Sequence, residues 1–75
     1  MTLKNFMKMH DGGVACVSIY EYNDGKKHQY CEEVYQEVIV DAEWFKKIAQ
    51  RKVKRFCVIG GGMYKVELCI ELKEE

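Results

Sequence analysis

Proline is absent from this sequence. A chain without it carries no polyproline segment and no sign of a long stiff linker. Surplus charge is missing too, because 12 basic residues meet 12 acidic ones. A formally neutral chain lacks the global basic excess that drives binding to nucleic acid or anionic membranes. No apolar stretch reaches about 18 residues, so no membrane span is expected. The opening M-T-L-K-N-F-M-K-M-H contains no apolar run of signal-peptide length. No two of the four cysteines, Cys16, Cys31, Cys57 and Cys69, form a C-x-x-C pair, and their spacings fit no common zinc pattern. They read as reduced thiols packed among strands in a cytoplasmic protein, with no metal and no other cofactor.

What is present suits one domain spanning residues 1–75. A chain of this size buries only about 60% of its unfolded surface, so its stability alone is expected to be marginal. The stretch that organises the chain is Val53 to Leu72, which reads as a β-hairpin. Tyr64, Val66, Leu68, Ile70 and Leu72 recur at every second position, with Lys65, Glu67, Cys69 and Glu71 between them. That period places the first set on one face of a half-buried strand. Val53 to Ile59 is rich in β-branched and aromatic residues, as strands are. Gly60, Gly61 and Gly62 suit a tight loop. A three-residue loop pairs Ile59 with Met63, Phe56 with Val66 and Arg55 with Glu67. It also sets Phe56 and Val58 on the face of Val66 and Leu68.

Earlier in the chain, Thr2 can cap a short helix whose apolar side is Leu3, Phe6 and Met7, ending at Asp11-Gly12-Gly13. Val14 to Tyr22 is apolar on both faces and reads as an interior strand. Asn23-Asp24-Gly25 is a hairpin turn, and Lys26 to Cys31 is the return strand. Val34 to Val40 also reads as extended, either continuing that strand past a bulge near Glu32-Glu33 or forming another. Acidic Glu32, Glu33 and Glu37 suit an exposed edge. Asp41 is an N-cap candidate for a helix over Ala42–Arg51, with Trp44, Phe45, Ile48 and Ala49 as its apolar stripe. The fold class is therefore α+β. It is a small, mainly antiparallel sheet of four to five strands covered by one well-defined helix, in the order α-β-β-(β)-α-β-β.

The Thr2-Leu3-Lys4 opening, the strand V-S-I-Y-E-Y with its N-D-G turn, and the hydrophobic C-terminal hairpin give the chain a layout. It resembles short prophage-type α+β proteins of low-GC Gram-positive bacteria, whose function is uncharacterised. The resemblance covers most of the chain in order and implies an α+β fold and a phage or prophage origin. It brings no catalytic residues.

Nothing in the sequence assembles a catalytic site. Gly60-Gly61-Gly62 lacks the following helix that a phosphate cradle needs. His10 and His28 lie far apart, and Cys31 near His28 has no signal of an oxyanion site beside it. Glu32, Glu33, Glu37, Asp41 and Glu43 do not follow the spacing of a calcium loop. The sharpest feature is the basic cluster Lys46, Lys47, Arg51, Lys52, Lys54 and Arg55, half of all basic residues within ten positions. It is the candidate interaction surface, read as a solvated face or as a site for a polyanion or acidic protein. Lys54 and Arg55 are expected on opposite sides of a strand. The leading expectation is a small non-enzymatic accessory protein that binds another protein, for which five tyrosines are suited. The alternative is a nucleic-acid-binding module using cluster 46–55, although tight nucleic-acid binding is not expected. Unpaired sheet edges, with acidic 32–37 and basic 46–55, also suggest a homodimer.

Overall fold

The structure, a computed structural model, describes residues 1–9, 15–60 and 66–74. Its elements in chain order are α1 (Leu3–Met9), β1 (Ala15–Asn23), β2 (Lys26–Tyr35), α2 (Gln36–Ile39), α3 (Glu43–Ile48), β3 (Val53–Ile59) and β4 (Val66–Leu72). The strands form one sheet in the order β2-β1-β4-β3. β1 and β2 are antiparallel, as are β3 and β4, while the central pair β1 and β4 is parallel. The α+β class holds. Among the described residues the sheet is mixed, with four strands and not five, and three short helices stand where one well-defined helix and a short opening one were expected.

The first hairpin follows its turn chemistry. Asp24 and Gly25 both have positive φ, 52° and 79°. A two-residue loop with this pair of angles matches the twist of the strands it joins. β2 carries the bulge that one of the two readings placed near Glu32-Glu33. Val17 faces Val34 and Ile19 faces Cys31, so Glu32 and Glu33 together oppose Ser18. Glu33 takes a φ of 52° there, and its N–H donates to Ser18 Oγ at 3.0 Å.

The segment after β2 departs from the extended reading. Gln36 to Ile39 is a helical turn instead. Ile39 is fully buried while Val38 and Val40 are exposed. Strand preference in β-branched residues reflects packing on a sheet face, and here the apolar space lies under a turn. Gln36 Nε2 holds that turn by donating to the Met7 carbonyl at 2.9 Å.

α3 is shorter than predicted, six residues from Glu43 to Ile48. Its N-cap is Ala42, in extended conformation without a side-chain cap, so Asp41 does not fill that role. The Arg51 N–H donates to the Ile48 carbonyl at 3.0 Å, a tight turn that closes the helix and leads into β3. In α1 the Asn5 N–H donates to Thr2 Oγ1 at 3.3 Å, the expected cap. The predicted stop at Asp11-Gly12-Gly13 lies outside the described residues.

The second hairpin keeps its predicted faces and changes its register. Ile59 pairs with Glu67, Val58 with Leu68, Cys57 with Cys69, Phe56 with Ile70 and Arg55 with Glu71. Each partner lies four residues beyond the one expected, which excludes the three-residue loop. An even shift leaves every side chain on its own face. Gly60 has φ 100°, and Gly61 and Gly62 lie outside the described residues.

All three helices lie over one side of the sheet. Val17, Ile19, Leu68, Ile70 and Leu72 from the two central strands form one apolar cluster with Leu3, Met7, Ile39, Phe45 and Ile48. Burying such aliphatic and aromatic side chains stabilises by about 1.5–3 kcal/mol each. Trp44 is only partly buried against this cluster. Among the described residues no helix is long and apolar enough to cross a membrane.

Candidate functional site

The cluster 46–55 does not form one basic patch. Lys46 lies on α3 beside Glu43 at 3.5 Å, and Lys47 is exposed on the same helix. Arg51 turns inward. Its two terminal nitrogens reach the Glu21 carboxylate at 2.7 and 3.2 Å, and Nη2 also donates to the Lys73 carbonyl at 2.8 Å. Tyr30 donates its hydroxyl proton to the same carboxylate. The Arg51 hydrogen bonds hold Glu21 far below the usual carboxylate range, at about 2, against the opposing effect of burial. Lys52 is exposed at the start of β3, bridged to Thr2.

Lys54 and Arg55 do not point to opposite sides. The β3 register breaks between Val53 and Arg55. With that irregularity both cations reach Glu71, each at 3.4 Å. A bulge re-aims one side chain in this way. Three of the six cluster residues are therefore committed to carboxylates of the central strands.

The more distinctive surface is β3 itself. It is an edge strand, and among the described residues its outer side meets the chain backbone at its start, where the Val53 N–H donates to the Met1 carbonyl at 2.9 Å. Phe56, Val58 and Ile59 on this edge are 56%, 62% and 53% exposed. Isolated apolar surface residues are ordinary, but Phe56 and Val58 share one face of this edge strand and form a patch, with Ile59 on the opposite face. Beside it an open groove of about 680 Å³ runs between α1 and β3. Met1, Phe6, Val53, Phe56, Val58 and Leu68 line it, with Lys54 and Arg55 alongside. Phe6 packs on Phe56 with ring centroids 5.0 Å apart, so the wall of the groove is an aromatic pair.

The sequence reading missed this site because it placed Phe56 and Val58 in the core. They do share the face of Leu68 and Ile70, yet they sit beyond the cover that the helices give. The available signal was the apolar character of Val53–Ile59 on both faces, which reads equally well as a central strand.

The remaining candidates stay apart. His28 is exposed, with its ring edge-on to Tyr30 at 4.6 Å, and His10 lies outside the described residues. Cys31 donates its thiol proton to the Val17 carbonyl at 3.5 Å, and burial pushes that thiol up to about 11. Among the described residues no three His, Cys, Asp or Glu side chains group in a way that could hold a metal ion. Glu32, Glu33, Glu37, Asp41 and Glu43 are all exposed. No protein-family model matches the chain, and comparison with curated proteins and with solved structures finds no match to either.

Proposed function

We propose that this chain is a small, non-enzymatic accessory protein of the cytoplasm, of phage or prophage origin as its layout suggests, that acts by binding another protein. Binding takes place by strand addition at the outer edge of β3. The observation that carries the reading is the β3 edge beyond Val53, unpaired among the described residues, combined with the apolar groove beside it. An added strand would pair with the backbone of β3, and every second side chain would enter the groove.

The partner segment is extended, with alternating apolar residues and one or two carboxylates. The carboxylates follow from Lys52, Lys54 and Arg55, which make this edge basic. The same charges oppose a second copy, because pairing β3 with β3 would bring both basic sets to one seam. The acidic residues Glu32 and Glu33 lie on β2, the opposite edge of the sheet. Matching acidic to basic edges between copies would therefore be head-to-tail rather than two-fold. A polyanion is favoured less, because the chain is formally neutral and the basic residues at 46–55 do not gather into one patch.

A displayed library of extended peptides tests this. Selected sequences should alternate apolar residues and carry Asp or Glu. Val58→Lys, a charge in the groove at an exposed position, should weaken the best peptide at least tenfold with an unchanged circular dichroism spectrum. Selection of basic or helical peptides, binding indifferent to Val58→Lys, or a concentration-dependent dimer occupying this edge would refute the reading.

A further inference from the structure

The sheet face turned away from the helices holds a second constellation, independent of the β3 edge. Cys57 on β3 stands directly opposite Cys69 on β4. Opposed residues in an antiparallel pair share a face, with Cα atoms about 4.5–5.5 Å apart, inside the range of about 4.4–6.8 Å found across disulfides. Cys57 is exposed, whereas Cys69 is buried. Two residues along the same strand and on the same face, Glu67 accepts the Cys69 thiol proton at 3.5 Å and the Ser18 hydroxyl proton at 2.6 Å. One thiol is open to a reagent while its neighbour is sheltered and held by a carboxylate.

We propose that Cys57 and Cys69 form a dithiol oxidation site that small disulfides, of the glutathione type, convert reversibly to a cross-strand disulfide. In the first step the Cys57 thiolate attacks one sulfur of the reagent. A mixed disulfide forms, and one glutathione thiolate leaves. In the second step Cys69, having lost its proton, attacks Cys57 Sγ and expels the second glutathione. The two protein thiols lose two electrons and two protons, and one glutathione disulfide becomes two thiols. Opposed Cβ atoms stand about 4.5–5.5 Å apart, and disulfides want about 3.5–4.5 Å, so closure strains the pair. Strained bonds are the more readily reduced ones, which makes the site reversible.

The second step is the slow one. The groups around Cys69 on this face are Glu67 and Glu71 on its own strand, Lys54, Arg55 and Cys57 on β3, and Cys16, Ser18 and Tyr20 on β1. Burial, followed by the hydrogen bond to Glu67, pushes the Cys69 thiol up to about 12. Only the thiolate attacks, so the mixed disulfide builds up near neutrality and resolves faster at higher pH.

The test treats the folded full-length chain with glutathione disulfide and follows it by intact mass and peptide mapping. The expected course is a mixed disulfide at Cys57, then a species two hydrogens lighter than the start, with Cys57 linked to Cys69. Resolution should speed up about tenfold per pH unit between about pH 7 and 9, since the thiolate fraction does so below its pKa. Cys69→Ser should stop at the mixed disulfide, and Cys57→Ser should slow first attack at least tenfold. Linkage of any other pair, predominant intermolecular disulfides, or a Cys69→Ser variant that still closes an internal bond would overturn the proposal. Should either variant fail to fold, the wild-type peptide map alone decides between these outcomes.

Discussion

Glu21 shows how much one residue carries in a chain this small. It sits in the sheet with 4% of its surface exposed, and Arg51 spans from the end of α3 to meet it. Removing one partner from a buried pair leaves the other charge without its counterpart. Arg51→Ala should therefore cost about 3 kcal/mol, the low end for such pairs, because 15% of the Arg51 side chain still meets solvent. Urea unfolding of the two proteins at neutral pH measures this. The pH dependence has a definite sign. Glu21 is lowered in the folded state from an ordinary 4.5 to about 2, so its contribution is present in full above about 4.5 and disappears as pH falls towards 2. The urea midpoint of the native protein should drop across that interval, and the drop should shrink in Arg51→Ala. Gly25 is a second single-residue constraint. An added methyl group would touch nothing within 4 Å, yet φ is +79°. Gly25→Ala should therefore cost about 1 kcal/mol from backbone strain alone, read as a shift in thermal midpoint.

At the scale of elements, the short helices matter through single anchors. α2 spans only four residues, yet it places Ile39 fully inside. Ile39→Ala should cost about 2–4 kcal/mol, whereas Val38→Ala on the same turn should stay within about 0.5 kcal/mol; chemical denaturation of both variants checks the contrast. Phe45 and Ile48 are the buried residues of α3, so Phe45→Ala should cost more than Trp44→Ala. These elements also mark what the residues alone revealed. The Asp24-Gly25 turn, the bulge at Glu32-Glu33 and the inward set Leu68, Ile70 and Leu72 were legible, because turn chemistry and period two are local. The helical turn at 36–39 was not, since V-Y-Q-E-V-I-V has strand propensity and only the tertiary position of Ile39 overrides it. Register in the second hairpin was half legible. Alternation fixes which face a residue takes, but displacement by an even number costs the pattern nothing. The candidate groove and the facing thiols both depend on that displacement. They could not be found before β3 was known to be an edge and Cys57 known to face Cys69.

For the whole molecule, three cations are held by carboxylates of other elements: Arg51 by Glu21, and Lys54 and Arg55 by Glu71. Exposed Lys47 and Lys52 stand outside these pairs. Replacing both with glutamine should change stability by less than about 0.5 kcal/mol, and duplex DNA should bind neither form tightly at physiological salt, as fluorescence anisotropy would show. The parallel centre has a consequence for synthesis. Every register pair between β1 and β4 joins residues 51 apart, from Ala15 with Val66 to Glu21 with Leu72. A ribosome adding about 5–20 residues per second takes about 3–10 s to cover that distance. Throughout that wait β1 has a neighbour on one side only, and Val17 and Ile19 lack the strand that completes their floor. The nascent chain therefore presents an apolar, half-paired hairpin for seconds, long enough for a chaperone to engage it before the second hairpin arrives.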